Sequence, residues 1–418
     1  MDALWIEGGA QLQGTVEIAG AKNATLPMMA ASLLARGPVT LRQAPFLQDV
    51  HTMSTILQLL GAVVTREGRD VRVDPRHVSS FEAPYDHVRR MRASIYVLGP
   101  LVARWGRARV SLPGGCAWGP RPVNFHLEGL RRMGASVDLD SGYIVAACSR
   151  LRGARICLDF PSVGATIQLM MAASLAAGET LIENAAREPE VSAVGDLLRR
   201  MGAAVDGCGS DAVHIQGVNE LSGVEADVMP DRIEAGTYLV AGAMAGGDLE
   251  LRPVEPAHLT AVIEKLSDIG CSIDSAEECL RVRSSGELRP FRLTTAPYPG
   301  FPTDMQAQMM ALACTIRGAS VIEEGIYLDR FSHVPELGRL GADIQLDRAV
   351  AVVNGGRPLQ GATVMATDLR ASVALVLAGL VARGRTLVRR IYHLDRGYER
   401  LVHKLQNVGA VIDRFVEK

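Results

Sequence analysis

What this 418-residue sequence lacks narrows its function before any motif is read. It has no charge excess. Its 44 Lys and Arg stand against 46 Asp and Glu, a formal net charge of -2, so no nucleic-acid partner is expected. It has no apolar run of membrane length: the longest, such as Val373 to Ala382, falls well short of the ~20 residues a spanning helix needs, so membrane insertion is not expected. Met1-Asp2-Ala3-Leu4 carries no basic stretch leading into an apolar one, which makes a cytoplasmic protein without signal peptide the expectation. The seven cysteines (Cys116, Cys148, Cys157, Cys208, Cys271, Cys279, Cys314) include no C-x-x-C pair and no zinc spacing. The nine histidines are equally scattered, so neither a disulfide framework nor a metal site is expected. Lysine is scarce as well: Lys22, Lys265, Lys404 and Lys418 are the only four against 40 arginines.

What the chain does have is an internal repeat. A glycine followed by a small residue and a strand-like run occurs at Gly61, Gly134, Gly202, Gly270, Gly341 and Gly409, in steps of 73, 68, 68, 71 and 68 residues. A second glycine, closing an Ala/Leu-rich run and opening a strand, recurs at Gly37, Gly106, Gly178, Gly246, Gly318 and Gly384. Two markers in one six-fold rhythm mean six copies of one unit. Each unit holds an apolar first helix, expected to be buried (Gln168–Ala177, Ala371–Ala382), and an amphipathic second one (Phe125–Met133, Val191–Met201). Glycine after each helix is expected to be the left-handed terminator. Six units divide as three plus three, with a boundary near Val228. The expectation is one domain over 22–228 and a second formed by 1–21 plus 229–418.

Counting back from the second glycines locates the starts of the buried helices. Fourteen residues before Gly106, Gly178, Gly246, Gly318 and Gly384 stand Arg92, Gly164, Arg232, Asp304 and Arg370, and fifteen before Gly37 stands Lys22. Ser162, Thr303 and Thr367 in these stretches read as helix caps. A cation at a helix N-terminus opposes the dipole, so Lys22, Arg92, Arg232 and Arg370 need another reason to be there. Free N–H groups together with a cation make an anion site.

The second unit alone is lengthened between its glycines, in the segment Ser111-Leu112-Pro113-Gly114-Gly115-Cys116-Ala117-Trp118-Gly119-Pro120-Arg121-Pro122-Val123-Asn124. Three prolines and three glycines in these fourteen residues make it a loop. An insertion tolerated in one copy of a repeat usually marks the functional face, which points to Cys116 beside Arg121. Arg121 and Arg396 each lie thirteen residues before a marker glycine, one in each half. With Lys22 they suggest a charged cleft that closes on an anion.

These stretches resemble the UDP-N-acetylglucosamine enolpyruvyl transferase family. The resemblance is carried by Gly20-Ala21-Lys22-Asn23-Ala24, Met91-Arg92-Ala93-Ser94, Pro113-Gly114-Gly115-Cys116 and Arg121-Pro122-Val123. Phe301-Pro302-Thr303-Asp304, Ala366-Thr367-Asp368-Leu369-Arg370 and Asp395-Arg396-Gly397-Tyr398 extend it, in register from about residue 4 to residue 415. The resemblance implies an α/β fold: a two-domain inside-out α/β barrel of six βαβαββ repeats, three per domain. It implies transfer of the enolpyruvyl group of phosphoenolpyruvate to the 3-hydroxyl of UDP-N-acetylglucosamine, releasing phosphate, as the first committed step of peptidoglycan synthesis. No metal or organic cofactor is implied.

The residue roles also follow from the resemblance. Cys116 is the acid and Asp304 the base, while Lys22, Arg121 and Arg396 hold phosphate and Arg92 and Arg370 line the cleft. Asn23, the segment Arg121, Pro122, Val123, Asn124 and Phe125, then Ser162, Val163, Gly164 and Ile326 contact the nucleotide sugar, with Arg330 and Asp368 in the substrate-binding set. An epoxide phosphonate such as fosfomycin is expected to alkylate Cys116. Four positions depart from the family pattern: Asn124 for Asp, Leu328 for Glu, Gln48 for Lys, and Trp118 inside the loop. A paralogue of weakened activity and the sister transferase acting on shikimate 3-phosphate are the other readings. The sister enzyme lacks the Pro-Gly-Gly-Cys loop.

Overall fold

Short β-branched segments alternate with Ala- and Met-rich helices along the chain, and neither can bury its apolar surface alone. In the computed structural model, which describes residues 2–88, 91–112, 123–284 and 287–417 and only the backbone of Arg92, they solve this together. The third repeat shows the plan. Strand Arg155–Cys157 leads into helix Val163–Ala173 and strand Glu179–Glu183, then helix Pro189–Met201 and the hairpin Ala204–Asp206 and Ala212–Gln216. Ile156 pairs in parallel with Ile182, a connection that needs the intervening helix. Ile182 lies antiparallel to Val213, and Ile215 to Val205, completing a four-stranded sheet.

Among the described residues six such sheets share this order of one parallel and two antiparallel pairings. The chain forms two compact units, which among the described residues comprise 20–229 and 2–19 with 230–417. Each holds three sheets and its own apolar core. In the first unit strand Glu225–Asp227, at the end of the third repeat, pairs in parallel with Val39–Arg42 of the first. In the second, strand Leu12–Glu17 pairs with Gly247–Arg252, and Asp2–Glu7 lies between Arg385–Arg389 and Val411–Val416. The N-terminal strands therefore belong to the sheets of the C-terminal half.

Within each unit the sheets turn one face to the helices and the other to solvent, an inside-out α/β arrangement. Val39 and Leu41 are buried while Arg42 is exposed, and every residue from Ala165 to Ala173 of the inner helix is buried. Small residues allow the inner helices to touch. At Gly99 an added Cβ would stand 2.8 Å from the carbonyl oxygen of Gln168 on the neighbouring helix. The outer helices are amphipathic: Val191, Val194, Leu198 and Met201 face in, Arg199 and Arg200 out.

The element boundaries differ from the sequence expectation in one consistent way. The inner helices start earlier, at Val163–Ala173 and Leu369–Val381, because capping side chains and extended residues set their ends rather than apolar content. The outer helices likewise run Asn124–Arg132 and Pro189–Met201. All six Gly-Ala-type marker glycines take positive φ, from 90° to 117°, as terminators must. Gly37 does not: helix Lys22–Ala31 unwinds through the 3₁₀ turn Ser32–Leu34 into extended Ala35, so no left-handed residue is needed.

A buried ion pair lies within the second unit. Glu234, 2% exposed in the first turn of helix Arg232–Ala245, accepts from the Ala19 N–H at 2.7 Å and from Lys404 Nζ at 2.7 Å. Burial raises the Glu234 carboxyl to about 7 against the opposing pull of Lys404. Folded Glu234 thus holds its proton longer than the unfolded chain does, and its contribution weakens stability as pH rises toward 7. Lys404→Met should therefore cost about 3 kcal/mol at pH 8, where Glu234 has lost its partner and must stay ionised unpaired or take up a proton, and much less at pH 5, where it is already protonated. Urea denaturation at the two pH values checks this. An equal loss at both would contradict it.

Candidate active site

The first unit presents Lys22 at the opening of an inner helix. Lys22 has no side-chain cap before it, and its ammonium lies 3.4 Å from Asp49 Oδ2. The two side chains are 12% and 5% exposed, and Asp49 stands in the first turn of helix Gln48–Leu59, where the dipole favours an anion. The cation is thus positioned by a carboxylate on the next helix. Asn23, beside Lys22, is half-buried.

Ser162 caps helix Val163–Ala173, its Oγ accepting from the Ala165 N–H at 3.4 Å. An added Cβ at Gly164 would stand 3.0 Å from His126 Nε2, so the buried imidazole packs against the first turn of this helix. Burial lowers His126 to about 4, leaving it neutral. Val123 and Phe125 are half-buried against the core, and Asn124 opens helix Asn124–Arg132 on the exposed side. Arg92 opens the 3₁₀ turn Arg92–Val97 rather than a regular α-helix. Cys116, Arg121 and Pro122, with Trp118, lie outside the described residues.

In the second unit Asp304, in the 3₁₀ turn that opens one inner helix, meets Arg370 at the start of the next and Arg330 from the connection between them. Its Oδ1 lies 2.8 Å from Arg330 Nη2 and its Oδ2 2.7 Å from Arg370 Nη2. Both guanidiniums are 7% exposed and the Asp304 side chain 27%, so the carboxylate keeps an open side. Burial pushes the Asp304 carboxyl up, but the charges of Arg370 and Arg330 and their hydrogen bonds prevail, holding it well below the usual range.

Each arginine is itself held. Arg370 Nη1 donates to Tyr398 Oη at 3.2 Å, and that hydroxyl lies 3.0 Å from Thr237 Oγ1. Gln308 Nε2 donates to Thr237 Oγ1 at 3.2 Å and to the Asp304 carbonyl at 2.9 Å. Arg330 Nη1 donates to Thr303 Oγ1 at 2.9 Å.

The capping expectation needs correcting at two positions. Thr303 opens a 3₁₀ turn and spends its hydroxyl on Glu324 and Arg330. Asp368, not Thr367, caps helix Leu369–Val381, accepting from the N–H groups of Arg370 at 2.9 Å and Ala371 at 3.0 Å. Asp368 Oδ2 also accepts from Ser332 Oγ at 2.8 Å, tying the turn after Arg330 to the helix that carries Arg370. Ile326 is half-buried in the turn that precedes Arg330. Arg396 ends the 3₁₀ segment Ile391–Arg396 and is half-buried.

Of the expected site residues, Asp304, Arg330, Arg370 and Asp368 form one connected cluster in this unit. Asp49, Thr237, Gln308, Glu324 and Tyr398 escaped the sequence reading. Tyr398 sits inside a motif stretch and Gln308 lies four residues beyond another, and the others carried no local signal. The departure at Leu328 is harmless to the cluster, since that side chain is 60% exposed.

The Asp304 clamp makes a stability prediction. A carboxyl held low contributes stability that is complete above its unfolded value and is lost as pH falls through the native one. Arg370→Met should lower stability by about 2–3 kcal/mol at pH 7, and the gap should narrow below about pH 4. Chemical denaturation across that range measures both. A gap that is absent at pH 7, or constant down to the lowest pH, would contradict the clamp.

Comparison with known proteins matches the chain along nearly its whole length. The family model described as EPSP synthase (3-phosphoshikimate 1-carboxyvinyltransferase) matches residues 6–405. The chain is 53% identical over 417 residues to the UDP-N-acetylglucosamine 1-carboxyvinyltransferase of Geobacter metallireducens, covering all of both chains. It is 53% identical over 418 residues, again with full coverage, to the protein of that name from Nitratidesulfovibrio vulgaris. Among solved structures it is similar to the enolpyruvyl transferase NikO from Streptomyces tendae, with TM-score 0.91, 28% identity, and 100% and 99% of the two chains covered. EPSP synthase from Acinetobacter baumannii shares the fold at TM-score 0.79 and 18% identity, with full coverage of both. The fold is thus the two-domain inside-out α/β barrel of these transferases. By full-length similarity the chain belongs to the enolpyruvyl transferase family that the EPSP synthase model describes, on its UDP-N-acetylglucosamine 1-carboxyvinyltransferase branch.

Proposed function

We propose that the protein transfers the enolpyruvyl group of phosphoenolpyruvate to the 3-hydroxyl of UDP-N-acetylglucosamine and releases phosphate. The observation that carries this reading is the full-length identity of 53% to transferases of that name, together with a carboxylate held between two arginines. The reaction adds the sugar oxygen to C2 of phosphoenolpyruvate while C3 takes a proton. Loss of phosphate and of a C3 proton then restores the double bond. It therefore needs a proton acceptor for the hydroxyl, a donor for the CH2 carbon, and cations for phosphate and carboxylate.

Asp304 is the acceptor in this reading. Its two arginines keep it ionised and also make it a weak base. The hydroxyl proton therefore moves as the C–O bond forms, when the sugar oxygen has become acidic. Cys116 is the donor and Lys22, Arg121 and Arg396 meet the phosphate. Arg92 and Arg370 meet the remaining anionic charge. Asn23, the segment from Arg121 to Phe125, Ser162 to Gly164, Ile326, Arg330 and Asp368 serve the nucleotide sugar and its surroundings. Of the other cysteines, Cys148, Cys208, Cys271 and Cys314 have thiols pushed up by burial, the last to about 12, which suits structural rather than reactive roles.

Phosphate release from phosphoenolpyruvate tests the proposal. It should require UDP-N-acetylglucosamine and should not occur with shikimate 3-phosphate. Asp304→Asn should lower turnover by about two to four decades while nucleotide-sugar binding persists. Phosphate release with shikimate 3-phosphate instead, or full turnover in the Asn variant, would overturn the reading.

A further inference from the structure

Glu324 is a buried carboxylate that the transfer reaction as described does not use. It follows strand Gly318–Glu323 and is 0% exposed. Burying a carboxylate is costly unless its oxygens are satisfied, and here they are. Oε1 accepts from Thr295 Oγ1 at 2.7 Å, from the Ile326 N–H at 2.9 Å and from the Tyr327 N–H at 3.0 Å. Oε2 accepts from Thr303 Oγ1 at 3.0 Å.

A carboxylate can only accept, so all four neighbours must donate to it. That fixes the direction of each hydroxyl. Thr303 has one hydroxyl proton and gives it to Glu324, which leaves its lone pairs to receive Arg330 Nη1 at 2.9 Å. The other terminal nitrogen of the same guanidinium lies 2.8 Å from Asp304 Oδ1. A single chain of donors thus runs from Arg330 through Thr303 to Glu324, whose other oxygen shapes the turn at Ile326.

Resting on the functional reading above, we infer that Glu324 is a positioning residue: through Thr303 it fixes how Arg330 holds Asp304, and it couples that hold to the Ile326 turn. A residue serving only to fill the core would not need an acceptor facing Thr303. Glutamine separates the two roles. Its carbonyl can keep the three donors at Thr295, Ile326 and Tyr327, while its NH2 turns to Thr303, where the hydroxyl can rotate. Thr303 would then face two donors, the amide and Arg330, and its own proton would either lose its acceptor or point at the guanidinium, donor against donor.

The test compares wild type, Glu324→Gln, Thr303→Val and the double variant. Glu324→Gln should lower kcat about tenfold or more and leave KM for UDP-N-acetylglucosamine within about twofold. Thr303→Val should fall similarly, the double variant no further, and Thr303→Ser should restore most of the loss. A readout independent of turnover is the titration of Asp304, by carbon-13 NMR of labelled aspartate. The Asp304 pKa should be higher in Glu324→Gln than in wild type. A raised pKa in a protein whose wild type turns over no substrate would support the coupling and refute only the functional reading. An unchanged Asp304 titration, wild-type kcat in Glu324→Gln, or additive losses in the double variant would overturn the inference.

Discussion

The interaction that organises the second unit's polar cluster is the pair of charge-assisted bonds between Asp304 and the guanidiniums of Arg330 and Arg370. Both guanidiniums are buried and grip the carboxylate from two sides, so each group's partners decide its state. The carboxylate stays ionised because the arginines outweigh its burial, and the arginines stay in place because neighbouring side chains anchor their remaining N–H groups. A proton acceptor held between two guanidiniums suits a reaction joining an anionic substrate to a hydroxyl.

The repeat explains how residues far apart in sequence reach one place. Repetition of one plan sets successive inner helices side by side, so residues that open them can meet across a long sequence distance. Asp304 and Arg370 are 66 positions apart and meet because they open consecutive inner helices. Arg330 comes from the connection between those helices, held to the second by Ser332 and Asp368. In the other unit the same construction brings Lys22 and the Ser162–Gly164 turn to helix starts, with Asp49 and His126 packed beside them. The scaffold supplies position, and the polar residues at helix openings supply chemistry.

The six-fold plan was legible because glycine marks helix ends where φ must be positive, a backbone demand no other residue meets as easily. Lys22 and Arg370 stood out for a related reason: counting from the second glycines lands on helix starts, where a cation opposes the dipole, whereas the role of Asp304 came from the family resemblance. The pairing of Thr367 and Asp368 was not legible. Either can cap, and only the extended backbone of Asp368, φ -161°, decides which does. Thr303 was misread because the hydroxyl of a helix-start threonine was assumed to serve its own helix, whereas Glu324, 21 positions later, takes its proton. Tyr398, Thr237 and Gln308 meet over as many as 161 positions, and no local pattern encodes such a meeting. Composition reveals which residues could do chemistry. Tertiary packing decides what each one faces.

The central claim is that the arginine pair keeps Asp304 ionised and weakly basic in the resting protein. The direct measurement is the carboxyl titration of Asp304 itself in the wild-type protein, followed by difference infrared spectroscopy with Asp304→Asn as the assigning reference. The account predicts that the Asp304 carboxylate band persists as pH is lowered well past the ordinary aspartate value of about 3.9. Protonation of Asp304 at or above that value in the folded protein would contradict it.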